Sequence, residues 1–102
     1  MNNILVLITT ESDKKKAKYF AKLLVKKKLA ACVSIKKIFS IYQWNDNIEE
    51  TKEFEITIKS KPALKDELIM FLQKITSQEI PQIIFKKFKS EDSYYKWLIK
   101  TI

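Results

Sequence analysis

The chain has 102 residues, of which 46% are hydrophobic and 31% are charged, and its formal net charge is +8 at pH 7. This size and composition predict one domain over residues 1–102 with its own core. The single cysteine excludes an intrachain disulfide, and the first residues lack the basic segment of a signal peptide, so we expect a cytoplasmic protein. No apolar stretch is long enough to predict a membrane span.

Several missing residue types exclude most site chemistries. Histidine and glycine are absent, which removes histidine-based catalysis, histidine zinc sites and the glycine-rich loops that bind nucleotide phosphates. Every basic residue is a lysine, so arginine clamps for phosphate are also absent. We therefore expect a protein that is not an enzyme and requires no cofactor.

The positive charge does not by itself predict a nucleic-acid partner. Many lysines fall between residues 14 and 28, where they are typical of the solvated face of an amphipathic helix. We expect no nucleic acid to bind. A basic RNA-binding sandwich is the alternative, although the chain lacks the glycine-containing aromatic motif of RNA-recognition modules.

The chain opens with a predicted strand and helix. Residues 3–9 form an aliphatic run that predicts a strand buried on both faces. The helix that follows has Thr10 as a capping hydroxyl with Asp13 three residues on. Its apolar stripe consists of Ala17, Phe20, Ala21, Leu24 and Val25.

A long hairpin comes next. Residues 29–44 and 48–59 predict two strands, with a bulge in the first near Lys36 and Lys37, where the alternation of apolar residues slips. Residues 45–47, with the sequence NDN, form a turn that accepts positive φ without glycine.

The second half repeats the pattern of helix and strand. A helix that begins at Pro62 carries Leu64, Leu68, Phe71, Leu72 and Ile75 at helical spacing. Residues 80–88 predict a strand and residues 91–101 a short helix that presents Tyr94, Trp97, Leu98 and Thr101 on one side. The order predicts an α+β fold, a ferredoxin-like βαββαβ sandwich with a long hairpin between its second and third strands and a C-terminal helix.

The hairpin is too long for its own domain. An arm of 14 residues spans roughly 46 Å, whereas a globule of this length is roughly 33 Å across. The apolar residues near its tip, which include Phe39, Ile41, Tyr42 and Trp44, are expected to pack on another chain. The first strand, which is apolar on both faces, is likewise expected to pack on another chain. In the alternative, the terminal helix covers the open face of the sheet and the hairpin bends back on its own body.

Several short motifs resemble those of the CutA-type divalent-cation tolerance proteins. Residues 29–35 read LAACVSI and residues 40–44 read SIYQW, which are similar to the family's LAACVNI and SIYxW. Residues 56–60 (ITIKS), 79–83 (EIPQI) and 94–97 (YYKW) are similar to IIKT, EVPEI and YLxW. These motifs occur in the family's order with nearly its spacings.

The resemblance implies a cytoplasmic homotrimer of PII-like, ferredoxin-like subunits whose long hairpins make the intersubunit contact. It also implies a role in metal-ion tolerance and copper binding, through the cysteine of LAACVN and the histidine and glutamate of HPYEVPEI. In this chain those positions are Cys32, Thr76 and Glu79, so threonine replaces the histidine. We expect only weak metal binding, restricted to copper.

Each candidate site residue also has a simpler interpretation. Cys32 could be a small core residue, and Glu79 an exposed loop acid. Lys59 could lie on a solvated edge, and Tyr94 and Trp97 could pack against the sheet. Together, Lys59, Tyr94 and Trp97 are our candidates for an intersubunit pocket that takes a small ligand. A PII-like signalling module is the other alternative to a metal-tolerance protein.

Overall fold

A computed structural model describes residues 2–102. The strands are β1 (Asn3–Glu11), β2 (Cys32–Trp44), β3 (Asn47–Ser60) and β4 (Ile84–Lys89). The helices are α1 (Lys14–Lys26), α2 (Lys65–Ile75), which follows a 3-10 turn over Pro62–Leu64, and α3 (Asp92–Thr101). Among these described residues no helix is long and apolar enough to cross a membrane.

The four strands form one antiparallel sheet in the order β2-β3-β1-β4. This order confirms the predicted α+β, ferredoxin-like sandwich. Alternate residues of each strand point to opposite faces. We call the face that packs on α1 and α2 the helix face, and the other the open face.

The main core lies between the helix face and helices α1 and α2. Leu5 and Leu7 of β1 and Ile56 and Ile58 of β3 are almost completely buried there. They pack with residues of both helices, namely Ala17, Leu24, Leu68 and Leu72. Burial of this kind contributes roughly 25 cal/mol per Å² of apolar surface, so this layer holds the helices on the sheet.

The C-terminal helix covers part of the open face, in agreement with one half of the alternative stated above. Ile4 of β1, Ala31 and Leu98 of α3 form a second, smaller core. Helix α3 covers the second face of β1 around Ile4, which is 6% exposed. Val6 and Ile8 on the same face stay half-buried, so the covering of the rest of that face by another chain stays a prediction. Trp97 and Thr101 do not lie at the centre of this contact, which Leu98 makes instead.

The hairpin does not bend back. The last pair between β1 and β3 is Glu11 with Phe54, whereas β2 and β3 stay paired from Ile38–Glu53 to Trp44–Asn47. These seven further pairs extend for roughly 23 Å at about 3.3 Å per residue. We call residues 38–53 the projecting hairpin. They account for an elongated molecule of 46 × 24 × 22 Å.

Other local predictions need correction. The β2–β3 register is continuous, so there is no bulge at Lys36 and Lys37. The slip in the apolar pattern arises because the projecting hairpin carries apolar residues on both faces. The N-cap of α1 is Asp13, whose carboxylate accepts the backbone N–H of Lys16, and not Thr10, which belongs to β1.

Two predicted boundaries also move. Strand β4 begins at Ile84 and not at residue 80, because Pro81 in the preceding segment has no N–H to donate to a ladder. Residues 76–83 form an irregular connection instead. Val25, predicted on the buried stripe of α1, is 43% exposed.

The hairpin turn adopts a backbone conformation that usually favours glycine, although the chain has none. Asn45 and Asp46 have φ values of 50° and 65°. We expect Asp46→Gly to raise the free energy of unfolding by up to about 1 kcal/mol, and Asp46→Val to lower it by about 1 kcal/mol, because positive φ costs a residue with a Cβ and suits glycine.

Guanidinium unfolding at one fixed protein concentration measures both changes. Glu50→Gly, in an extended strand, is the control and should only destabilise. An Asp46→Val variant as stable as the parent would show that the turn is not under this constraint.

Candidate functional site

A cavity of about 640 Å³ lies between the open face of the projecting hairpin and residues 78–82. We call it the hairpin cavity. Three carboxylates line it, those of Glu49, Glu53 and Glu79, together with the aromatic residues Tyr42 and Trp44. Its volume lies within the usual range for small-ligand sites. The structure thus brings Glu79 beside two residues predicted for the trimer interface.

Thr76 has a structural role at the end of α2. It is the C-cap, and its backbone N–H donates to the carbonyl of Leu72 at 3.0 Å. Its hydroxyl oxygen accepts the backbone N–H of Gln78 at 3.1 Å. The hydroxyl that replaces the motif's histidine therefore shapes the turn that leads to Glu79.

Side chains from the same segment hold it against the end of β1. The Ser77 hydroxyl donates to Oε1 of Glu11 at 2.6 Å, and that carboxylate is only 1% exposed. The amide of Gln78 donates to the carbonyl of Thr10 at 3.2 Å. These two bonds fix one wall of the hairpin cavity, since Thr10 and Gln78 both line it.

Cys32 lies apart from Glu79. Its cross-strand partner is Lys59, at the opposite end of the hairpin from the tip. The side chain is partly exposed, so it is not the core residue of the simpler interpretation. Within residues 2–102 no three His, Cys, Asp or Glu side chains come close enough together to hold a metal ion. One chain therefore does not bring the two predicted metal ligands together.

A second cavity, of about 470 Å³, contains two of the three residues predicted for a pocket. We call it the Lys59 cavity. It lies on the open face between the sheet and the start of α3, and Lys59 and Tyr94 line it, whereas Trp97 does not. Trp97 is 46% exposed, and its ring centroid is 5.5 Å from that of Tyr94. Trp97 can therefore support Tyr94 but does not form the wall.

The remaining predicted residues are the four aromatic and aliphatic side chains of the projecting hairpin. Phe39 and Ile41 are 73% and 69% exposed on one face, and Tyr42 and Trp44 are 42% and 37% exposed. By alternation Tyr42 and Trp44 lie on the other face. A two-stranded ribbon with apolar residues on both faces is marginal in water.

The sequence reasoning missed several residues that line these cavities. Phe88 and Lys89 line the Lys59 cavity with Ile4, and the signal for Phe88 was the run IFKKFK, which places Ile84, Lys86 and Phe88 on the open face. Thr51 lines the hairpin cavity. Its hydroxyl oxygen is buried without a hydrogen-bond partner, the only such side-chain atom in the described part of the chain. No sequence signal marked it.

The fold and the two cavities define a class of small α+β sandwich in which a hairpin projects beyond the sheet. A family model described as CutA1 divalent ion tolerance protein matches residues 4–101. The divalent-cation tolerance protein CutA of Pyrococcus horikoshii is 30% identical over 98 residues, which cover 95% of this chain and 96% of that protein. This chain belongs to the CutA1 divalent ion tolerance family.

Further relatives agree in fold and sequence. The structure of CutA from Synechococcus elongatus PCC7942 superposes with a TM-score of 0.95 at 29% identity, and the alignment covers 99% of this chain and 91% of that one. The mouse Protein CutA is 38% identical over 73 residues. Those residues are 71% of this chain and 41% of the mouse protein.

The cap of α3 predicts a pH dependence of stability. Hydrogen bonds from the Ser93 hydroxyl and from the backbone of Ser93 and Tyr94 lower the pKa of the Glu91 carboxyl from its ordinary 4.5. Its contribution to stability is therefore present above pH 4.5 and is lost as the pH falls through the lowered pKa. We expect Glu91→Gln to flatten this part of the profile.

Thermal unfolding between about pH 6 and about pH 2 measures the slope. Asp66→Asn, which replaces a carboxylate with 91% exposure, is the control. An unchanged slope in Glu91→Gln would contradict the assignment.

Proposed function

We propose that this chain forms a homotrimer that binds a metal ion or small ligand between its subunits and contributes to metal-ion tolerance without acting as an enzyme. We place it in the cytoplasm, in agreement with its single cysteine. The observation that carries the proposal is the projecting hairpin, which leaves Phe39, Ile41 and Ile48 at least 69% exposed. Large exposed apolar surface of this kind marks a protein interface.

In a closed ring of three subunits, the apolar surface of every projecting hairpin is covered in the same way. Each subunit would insert its projecting hairpin against the next, so that every apolar ribbon is covered and none is left over. The sheet also ends in two unpaired edges, β2 and β4, and unpaired strand edges are sites of association. A dimer built around a twofold axis would have to bury the same ribbon against itself.

Assembly would also change the hairpin cavity. Tyr42 and Trp44 line the cavity and belong to the projecting hairpin, so a neighbouring subunit that covers the hairpin would close the open side. This geometry supports a binding site between subunits and needs no nucleophile or base.

The donor set disfavours a strong divalent site. Cys32 and Glu79 lie apart within one chain, and ligation by both would require contributions from neighbouring subunits. Zn²⁺, Co²⁺ and Ni²⁺ prefer imidazole and thiolate sets that this histidine-free chain cannot complete. A single thiolate is soft, and it favours Cu(I) over the other ions.

The proposed trimer predicts the mass of the protein in solution and the effect of a change in the hairpin. Light scattering or sedimentation should give a mass about three times 12.1 kDa. Trp44→Ala should weaken the trimer by about 3 kcal/mol, because the lost aromatic contact falls on the interface. Tyr19→Ala, which removes an aromatic side chain that is 62% exposed on α1, is the matched control. A protein that stays monomeric at micromolar concentration would contradict the proposed trimer.

The donor set also predicts which metal ions bind. Calorimetric titration should show no tight Zn²⁺ binding, and any tight binding should be to Cu(I) and should disappear in Cys32→Ser. Glu67→Gln, in the first turn of α2, is the control for a carboxylate outside both cavities. Submicromolar zinc binding that survives Cys32→Ser would show that the lost histidine does not matter.

A further inference from the structure

We infer that the outer face of α1 binds the phosphate backbone of double-stranded nucleic acid without reading its sequence. The inference goes beyond the proposed function and does not rest on it, and it revises the expectation from the sequence that no nucleic acid binds. Four exposed lysines that follow one side of the helix carry it, namely Lys15, Lys18, Lys22 and Lys26. We call these four residues the lysine stripe.

Helical geometry places the lysine stripe on the side of α1 that faces away from the sheet. Its members follow one another at spacings of three, four and four residues, so at about 100° per residue they fall within an arc of roughly 80°. The buried residues of α1, which are Ala17, Phe20 and Leu24, lie on the opposite side. The packing that holds α1 on the sheet therefore turns the lysine stripe outward.

The positive charge of the chain is concentrated on this helix. Helix α1 has six lysines and no acidic residue, whereas the formal net charge of the whole chain is +8. In residues 2–102 the ion pairs are Lys36–Glu55 and Lys65–Asp66, and neither involves α1. By contrast, the open face of strands β2, β3 and β4 carries lysines and glutamates in equal number, namely Lys36, Lys59, Lys86, Glu49, Glu53 and Glu55.

Two carboxylates lie near the ends of α1. Asp13 is the N-cap, and its carboxylate accepts a backbone N–H of the first turn. Glu67 of α2 lines a cavity with Lys27, which follows the last residue of α1. Between these ends, Lys18 and Lys22 are four residues apart, and like charges at this spacing destabilise a helix. A bound polyanion would remove this repulsion.

The spacing of the lysines suits a duplex backbone. The lysine stripe spans roughly 16 Å at about 1.5 Å per residue. Each strand of duplex DNA carries one phosphate per about 3.4 Å of its axis, so the four lysines face roughly five phosphates of one strand. Lysine binds phosphate as a point charge, in agreement with a contact that positions the duplex and does not read its bases.

Other anionic partners fit this face less well. A helix that lies on a membrane lowers its apolar face into the lipid, whereas the apolar face of α1 is buried against the sheet. A protein interface has an apolar core, and the arc of the lysine stripe contains only lysine. Single-stranded nucleic acid stacks on aromatic side chains, and α1 exposes only one of these, Tyr19.

The test measures the binding of a labelled DNA duplex of about 12 base pairs to the full chain, by fluorescence anisotropy between about 50 and about 200 mM salt. We expect a Kd of about 1 to about 100 µM near physiological salt, and four phosphate contacts predict a slope of about −3.6 for log affinity against log salt. The double variant Lys18→Gln, Lys22→Gln should change this slope to about −1.8, because two contacts are lost. Glutamine is a good helix former, and thermal unfolding checks that the variant is folded.

A second double variant separates the lysine stripe from the net charge. Lys96→Gln with Lys100→Gln removes the same charge from exposed positions of α3, which lies on the other side of the sheet. This variant should keep the slope near that of the parent. Equal slopes in the two double variants would show that binding follows net charge alone, and this result would overturn the inference.

Two further measurements distinguish the duplex from the other polyanions. Tyr19→Ala should leave duplex binding unchanged, and a single strand of the same length should bind more weakly than the duplex. Tighter binding of the single strand that depends on Tyr19 would assign the face to unpaired bases instead. A chain that co-sediments with phosphatidylserine vesicles and does not bind the duplex would assign it to a membrane, and a chain that binds none of the three probes would leave the face without a polyanion partner. Each of these results would overturn the inference.

Discussion

The pairing of β1 with β3 is the interaction on which the other features depend. The ladder runs from Leu5–Ser60 to Glu11–Phe54, and it places Leu7 and Ile58 side by side under the helices. It also sets Lys59 opposite Val6, which is how a lysine comes to lie beside an apolar wall. Where β1 ends, the hairpin loses its third strand, and its apolar residues become exposed.

A buried hydrogen bond fixes how the chain enters this ladder. The hydroxyl of Ser60, which is fully buried, donates to the carbonyl of Leu29 at 2.7 Å, and the N–H of Ala31 donates to the carbonyl of Lys59 at 2.9 Å. Lys28 just before this crossing has a φ of 59°, a conformation that usually favours glycine. A chain without glycine accepts this cost here because the buried bonds and the packing of Leu29 hold the crossing in place.

The replacement of the motif's histidine by Thr76 changes chemistry and leaves geometry intact. The threonine hydroxyl supports the turn after α2, and the neighbouring bonds from Ser77 and Gln78 keep the segment against β1. The wall of the hairpin cavity therefore survives without an imidazole. In a fold that matches the structure of CutA from Synechococcus elongatus closely, this wall carries hydroxyl and amide side chains, and the ligand chemistry has to be argued from these residues.

The sequence by itself determined the order of the elements, the long hairpin, its turn and the side chains near its tip. These features are local: alternation marks the strands, helical spacing marks the stripes, and Asn45 and Asp46 mark a turn. Only the tertiary structure decided that α3 covers part of the second face of β1, that the β2–β3 register has no bulge, and that Cys32 and Glu79 lie apart. The physical reason is that cover, register and proximity depend on contacts between distant segments, and periodicity within one segment carries no information about them. Phe88 and Lys89 belong to this second group, because the path of α3 across the open face is what turns an exposed edge strand into the wall of a cavity.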